Sequence, residues 1–121
     1  MLMGVVFTLG GCVDPNQNLV EEVDTKKTQL YVLNFDGGFG NEWLYEVKAR
    51  FEAKYADYQG TDGKVGVQIL IEDGKDDVGS TFVNNIKYDR NEIFFTEGVL
   101  YYDLVSQGLL TEITDVMTET L

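Results

Sequence analysis

The sequence predicts an α/β protein with a doubly wound, mostly parallel sheet. Runs rich in β-branched and aromatic residues alternate along the chain with stretches whose apolar residues recur at helical spacing, which gives the order βαβαβα. Because successive parallel strands are joined by right-handed helical crossovers, this order places helices on both faces of one sheet. The 121 residues are 44% hydrophobic, which is ordinary for one domain with a buried core.

The first half of the chain passes from strand to helix to strand. Thr28 to Phe35 is rich in β-branched and aromatic residues and runs into a glycine-rich turn, so it predicts the first strand. Helical spacing of apolar residues predicts a helix from about Glu42 to Tyr55, which Asn41 is placed to cap. The second strand alternates apolar residues from Val65 to Ile71 and ends at Glu72-Asp73-Gly74.

The second half repeats the alternation. A helix is predicted over roughly Val78 to Lys87. Glu92 to Phe95 is a short apolar run of the kind expected for a strand buried on both faces. The last helix is predicted to begin near Val99, with Gly108 where a C-terminal cap is expected. Three strands leave sheet edges that need cover, so we expect the sheet to be incomplete within this chain.

Charge and residue types exclude several classes of function. Nine basic against 21 acidic residues give a net charge of -12, which repels nucleic-acid phosphate, so we expect no nucleic-acid partner. The chain contains no histidine, which excludes Ser/His/Asp triads and histidine metal sites. Asp73, Asp76 and Asp77 lack the glycine and glutamate spacing of a calcium loop. The sequence therefore predicts no metal site and no cofactor.

The N-terminal segment has the pattern of a lipoprotein leader. Met1 to Gly11 is an uncharged apolar run, too short to span a bilayer, that ends directly before Cys12, the only cysteine. Leu9-Gly10-Gly11-Cys12 resembles the bacterial lipobox, in which the cysteine thiol receives a diacylglycerol. We therefore expect residues 1–11 to be the end of a signal peptide, Cys12 to be lipidated and residues 12–27 to form a flexible tether. The alternative is a buried Cys12 thiol, with residues 1–11 as a first strand.

Four segments of residues 28–121 carry a resemblance to a known family. They are NFDGGFG, NEWLYEVKARFEAKY, VGVQILIEDG and NEIFFTEGVLYYDLVSQGLLTEITDVM. These segments resemble the family 1 extracellular solute-binding proteins of carbohydrate ABC importers, which have the type II periplasmic binding protein fold. The last segment is the most specific, because that family has a strand ending at the position of Phe95, a helix near the ligand cleft, a Gly-Leu-Leu turn and an Ile-Thr-Asp segment. Residues 108–110 and 113–115 match the last two features.

The resemblance implies the substrate-binding component of an importer, which binds a sugar or oligosaccharide and delivers it to the permease subunits. Such a protein is a monomer, is not an enzyme, and lies outside the cytoplasm, where its lipid anchors it to the outer face of the cytoplasmic membrane. Full members are several times longer and contain a second lobe. We therefore expect this chain to correspond to the first part of lobe one, with half of the binding site supplied by other residues.

The candidate ligand-binding residues lie in the loops after the predicted strands. Ligands of open α/β sheets bind outside the carboxyl ends of the strands, which places the site at residues 36–42, 72–79 and 96–101. Sugar recognition needs carboxylates or amides for hydroxyl groups and aromatic faces for the C–H side of the ring. The candidates that supply these groups are Asp36, Phe39, Asn41, Trp43, Glu97 and Tyr101.

Each candidate also has a purely structural interpretation. Asp36 and Asn41 are typical turn and capping residues, and Trp43 is typical of helix packing. Glu97 follows an apolar strand beside a glycine, where a solvated turn is common. Tyr101 and Tyr102 are adjacent on a helix, so one is expected to face the sheet and the other the opening, and we assign the opening to Tyr101.

Two other classes of function remain open from the sequence. The first is a short standalone surface lipoprotein with an adhesion or scaffolding role. The second is an enzyme in which Asp36 and Glu97 act as glycosidase carboxylates. A carboxylate pair on neighbouring strand ends is equally what a sugar-binding site needs, so the pair does not by itself indicate turnover.

Overall fold

The computed structural model describes Leu19 and residues 21–35, 40–74, 79–96 and 99–117. The predicted signal peptide, Cys12 and half of the predicted tether lie outside the described residues and stay predictions. The elements in chain order are β1 (Thr28–Phe35), α1 (Glu42–Lys54), a 3₁₀ turn (Thr61–Gly63), β2 (Val67–Gly74), α2 (Gly79–Asn85), a second 3₁₀ turn (Ile86–Tyr88), β3 (Ile93–Phe95), α3 (Tyr101–Ser106) and α4 (Thr114–Met117).

The three strands form one parallel sheet in the order β2-β1-β3. In the register, Val32 of the central strand lies between Ile71 of β2 and Ile93 of β3. The expected α/β class with a parallel sheet is therefore present. β2 begins at Val67, two residues later than the apolar alternation predicts, and Val65 instead makes an isolated bridge with Gln59.

Helix α1 covers one face of the sheet. Val32, Ile69 and Ile71 lie on this face and form a buried cluster with Leu44 of α1, and Phe51 packs against it seven residues further along the helix. A spacing of seven residues returns to the same side of an α-helix, so one apolar stripe covers the sheet. Val47 lies at the same helical spacing, three residues after Leu44, but it is 48% exposed and does not contribute to this stripe.

A second apolar cluster covers the opposite face. Phe94 pairs with Leu33 in the register, and side chains alternate between faces along a strand, so Phe94 lies opposite the face of Val32. Phe94 packs with Phe82 of α2 and Leu104 of α3. Apolar clusters therefore cover both faces of the sheet.

Strand β3 differs from its prediction. The sequence predicted a strand buried on both faces, but Ile93 is 40% exposed and Phe95 39% exposed. The reason is position, because β3 is an edge strand that pairs only with β1 among the described residues.

The free edge of β2 is bordered by the segment that precedes β1. The Gln68 side chain, 7% exposed, accepts a hydrogen bond from the Asp24 N–H at 2.7 Å and donates to the Glu22 carbonyl at 3.0 Å. Leu19 forms an antiparallel bridge with Glu72. Leu19, Glu22 and Asp24 belong to the predicted tether, whose boundary stays a prediction. None of the helices in the described ranges is both long and apolar enough to cross a membrane.

Candidate functional site

The candidate site lies where the three parallel strands end. Asn34, next to last in β1, is aligned with Asp73 of β2 and with Phe95, the last residue of β3. The loops after the strands begin at this edge, which is where open α/β sheets bind their ligands. The site is therefore built around the central strand.

Asn34 is the polar centre of this edge. Its side chain is 2% exposed, and a buried amide requires hydrogen-bond partners. Its Nδ2 donates to Oδ1 of Asn41, which stands directly before α1. The Asn41 side chain makes no capping hydrogen bond to the helix, so the predicted capping role is not observed. Asn41 is instead tied to the central strand.

Trp43 places an aromatic ring beside this amide pair. Its Nε1–H donates to the Gly40 carbonyl at 3.1 Å, and its ring meets the Phe95 ring edge-on, with centroids 5.0 Å apart. The indole nevertheless remains 40% exposed. Packing against Phe95 and exposure to solvent are thus combined in one residue.

These four residues form what we call the carboxyl-end cluster: Asn34, Asn41, Trp43 and Phe95. Asn41 bonds to Asn34, Asn34 is aligned with Phe95, and Phe95 contacts Trp43, so the cluster is continuous. All four side chains are uncharged. Chemically, the cluster offers amide donors and acceptors beside an aromatic surface, which suits a neutral ligand with hydroxyl groups and C–H faces.

Tyr101 lies apart from the carboxyl-end cluster. It begins α3, on the sheet face opposite α1, and it is 59% exposed with its ring against that of Tyr102. The sequence placed Tyr102 toward the sheet, and this is wrong, because Tyr102 is 86% exposed. Both rings face outward because Leu104 supplies the buried contact of this short helix.

The remaining predicted residues, Asp36, Phe39, Glu97 and the lipidation site Cys12, lie outside the described residues. The structure adds Asn34 and Phe95, which the sequence analysis did not select. Asn34 carried a usable signal, since it is a lone amide near the end of an otherwise apolar half-strand, YVLNF. Phe95 carried none, because an apolar strand end is indistinguishable from core.

Across the described part of the chain, no three His, Cys, Asp or Glu side chains come together as they would around a metal ion.

Comparison with known proteins yields no relative. No protein-family model, curated protein or solved structure matches this chain.

Proposed function

We propose that this chain is the N-terminal part of a lipid-anchored, extracytoplasmic solute-binding protein that delivers a sugar or oligosaccharide to the permease of an ABC importer. The observation that carries the proposal is the carboxyl-end cluster, in which an amide pair stands beside a half-exposed indole. The type II periplasmic binding protein fold is part of the same proposal. A parallel sheet with β1 in the centre and apolar clusters on both faces is compatible with it.

The chemistry of the cluster favours a neutral, hydroxylated ligand. An amide both donates and accepts, as a sugar hydroxyl does, and an indole face packs against the C–H side of a pyranose ring. The described cluster brings no charge to the ligand, and the chain's net charge of -12 disfavours anionic solutes. The lipobox-like Leu9-Gly10-Gly11-Cys12 supports an extracytoplasmic location.

Trp43 provides the test, because it is the only tryptophan in the chain and its emission reports on this site alone. We would titrate the full chain with glucose, maltose, cellobiose, xylobiose and trehalose while recording tryptophan emission. At least one saccharide is expected to change the emission saturably. Since only part of the cleft is present, a dissociation constant on the order of 1 mM is expected, about -4 kcal/mol.

Variants locate the binding. Asn41→Ala removes a hydrogen-bonding group from the cluster and is expected to weaken binding about tenfold, which corresponds to about 1.4 kcal/mol. Asn84→Ala is the matched control, because Asn84 is an exposed amide on α2, and it should bind normally. If no saccharide alters the emission, or if both variants respond alike, the proposal fails. The standalone surface lipoprotein would then be the better explanation, provided that Cys12 is lipidated.

A further inference from the structure

The segment before β1 runs along the outer edge of β2. Leu19 forms an antiparallel bridge with Glu72, near the carboxyl end of β2. Further along the segment, the Asp24 N–H donates to the buried Gln68 side chain at 2.7 Å, near the amino end of the strand. The segment therefore passes β2 in the direction opposite to the strand. We call its described residues, Leu19 and residues 21–24, the strap.

The strap is held by side chains of two elements. The Gln68 amide of β2 also donates to the Glu22 carbonyl at 3.0 Å, so one side chain bonds the strap twice. Lys48 of α1 pairs with Glu21 at 2.7 Å, and the Lys48 side chain is only 14% exposed. An ion pair with one partner largely buried is screened by salt less than an exposed pair. The edge of β2 is thus covered by the chain itself.

Backbone hydrogen bonds fix the turn that leads from the strap into β1. The Lys27 N–H donates to the Asp24 carbonyl at 3.1 Å, and the Val65 N–H donates to the Lys26 carbonyl at 3.0 Å. The turn leads directly into Thr28, the first residue of β1. The strap is therefore fixed at both ends of β2.

The direction of the strap decides at which end of the sheet the chain enters. Glu72 is aligned with Leu33 of the central strand, one residue before Asn34 of the carboxyl-end cluster. Neighbouring strands lie about 4.8 Å apart, which places Leu19 about 10 Å from the central strand. The chain thus enters at the sheet edge that carries the cluster. Without the strap it would enter at Thr28, at the opposite end.

Chain length then limits the distance from Cys12 to the cluster. Residues 12 and 19 are at most about 25 Å apart, because an extended chain spans about 3.3–3.6 Å per residue. Cys12 therefore lies within about 35 Å of the cluster. Without the strap, the chain from Cys12 to Thr28 could extend to about 58 Å, and β1 would add about 20 Å before Asn34. The strap more than halves the possible distance.

We propose that the strap docks on the edge of β2 and brings Cys12 to the sheet edge of the carboxyl-end cluster, so that the lipid anchor holds the candidate site within about 35 Å of the membrane surface. The docking itself needs neither lipid nor sugar, whereas its consequence at the membrane rests on the proposed lipidation of Cys12. The flexible tether is then shortened to residues 12–18. The site stays near the membrane-embedded permease that is proposed to receive the ligand.

The chain contains its own pair of positions for a distance measurement. Cys12 is the only cysteine and Trp43, in the cluster, is the only tryptophan. Made without export, the full chain keeps a free Cys12 thiol, which is labelled with a thiol-reactive aminonaphthalene fluorophore. Energy transfer from the indole to this label reports the distance between the two residues.

Variants of the strap test whether docking sets that distance. Glu21→Lys combined with Asp24→Pro places a cation beside Lys48 and removes the N–H that Gln68 accepts, so the transfer efficiency is expected to fall at least about twofold. Glu46→Lys is the matched control, an exposed acid of α1 that pairs with Arg50, and should leave the transfer unchanged. Circular dichroism checks that both variants keep the fold.

Hydrogen exchange measures the docking without a label or a substitution. The Asp24 N–H is bonded to a buried side chain, so we expect it to exchange at least about tenfold more slowly than in an unstructured chain. Two-dimensional NMR spectra recorded after transfer into D₂O give the rate.

The consequence at the membrane is measured on the lipidated protein in vesicles whose lipid headgroups carry dansyl. Energy transfer from Trp43 to the vesicle surface is expected. A flexible Gly-Ser insertion of about 20 residues between Asn18 and Leu19 should lower it, because it lengthens the tether without altering the strap.

The outcomes separate the strap from the anchor. Equal energy transfer to Cys12 in the unmodified chain and the double variant, or exchange of the Asp24 N–H at the rate of an unstructured chain, would overturn the docking. Docking as expected, together with no effect of the Gly-Ser insertion in vesicles, would overturn the consequence at the membrane. Failure of lipidation at Cys12 would refute the proposed anchor and leave the docking results unchanged.

Discussion

The backbone N–H and carbonyl of Ile69, in β2, form hydrogen bonds with side chains of α1 instead of with another strand. The Glu52 carboxylate accepts the Ile69 N–H at 2.7 Å, and the Lys48 ammonium donates to the Ile69 carbonyl at 2.9 Å. Lys48 also pairs with Glu52 and, at 2.7 Å, with Glu21 of the segment that precedes β1. Two residues of α1 thus satisfy the exposed edge of β2 and hold the preceding segment against it, which protects the edge from pairing with another chain.

We predict that Glu52→Ala lowers the free energy of unfolding by about 1.5–3 kcal/mol, because it removes a charge-assisted acceptor from a backbone N–H. Glu52→Gln keeps an acceptor atom and should lose less. Chemical denaturation measures both. The matched control is Glu46→Ala, which removes the exposed pair with Arg50 on the same helix and should change stability by less than about 0.5 kcal/mol. Equal losses of stability for Glu52→Ala and Glu46→Ala would show that the hydrogen bond from Ile69 to Glu52 stabilises the protein no more than an exposed ion pair does.

At the scale of an element, helix α3 is stabilised by the hydrogen bonds that close its C-terminus. The helix has six residues, and Leu100 at its N-terminus makes no side-chain cap. At the other end, the Gly108 N–H donates to the Val105 carbonyl and the Leu109 N–H to the Leu104 carbonyl, with Gly108 at φ +65°. This is the Schellman arrangement, and the contact of Leu109 with the Leu104 cluster completes it. The predicted cap at Gly108 is confirmed.

Gly108→Ala is therefore expected to destabilise the protein by about 1 kcal/mol, through the cost of a left-handed backbone for a residue with a Cβ. No atom lies within 4 Å of the added Cβ, so steric clash plays no part. Gly108→Asn should cost less, since asparagine tolerates this conformation better. A thermal unfolding series of the two variants measures the order. Destabilisation by Asn equal to or greater than that by Ala would contradict the backbone explanation.

The sequence predicted elements better than it predicted their surroundings. Periodicity of neighbouring residues is a local property, so the order of strands and helices and the end of α3 at Gly108 could be predicted. Burial of β3 could not, because its exposure depends on which strand lies beside it. Asn41 shows the same limit at the site. A capping role was predicted for Asn41 because asparagine is common before the first turn of a helix. Its side chain instead bonds to Asn34, a partner that the tertiary fold brings close.

At the scale of the whole molecule, the parallel sheet separates two surfaces. The carboxyl-end cluster draws on β1, β3 and the start of α1, whereas a groove bordered by α2, β3 and α3, which we call the α2–β3–α3 groove, lies against the opposite face. Phe94 of the groove and Phe95 of the cluster are consecutive residues of β3, so only substitutions outside this strand, such as Asn41→Ala and Ile113→Lys, are expected to act additively. The groove therefore provides control positions, such as Leu109 and Ile113, for measurements at the cluster.

The proposed membrane anchor predicts the behaviour of one further variant. If Cys12 is lipidated, Cys12→Ser should move the protein from the membrane fraction to the soluble fraction of a bacterial host, with loss of the mass of the lipid. Substitution of this one residue is expected to release the protein, because the acyl chains attached to it contribute about 0.8 kcal/mol per buried CH₂ to membrane binding. Ser106→Ala, at the end of helix α3, is the control and should stay with the membrane. Membrane retention of Cys12→Ser with unchanged mass would exclude the lipid anchor.

The central claim is that a sugar binds at the carboxyl-end cluster, and the most direct measurement is a two-dimensional NMR titration with each saccharide of the panel. The chain has one indole N–H, that of Trp43, so its cross-peak is identified without ambiguity. We predict that this peak and the side-chain amide peaks of Asn34 and Asn41 shift together along one binding curve. The backbone peaks of Leu109 and Ile113 in the α2–β3–α3 groove should stay in place. An indole peak that does not move with any saccharide, or shifts confined to the groove, would contradict the account.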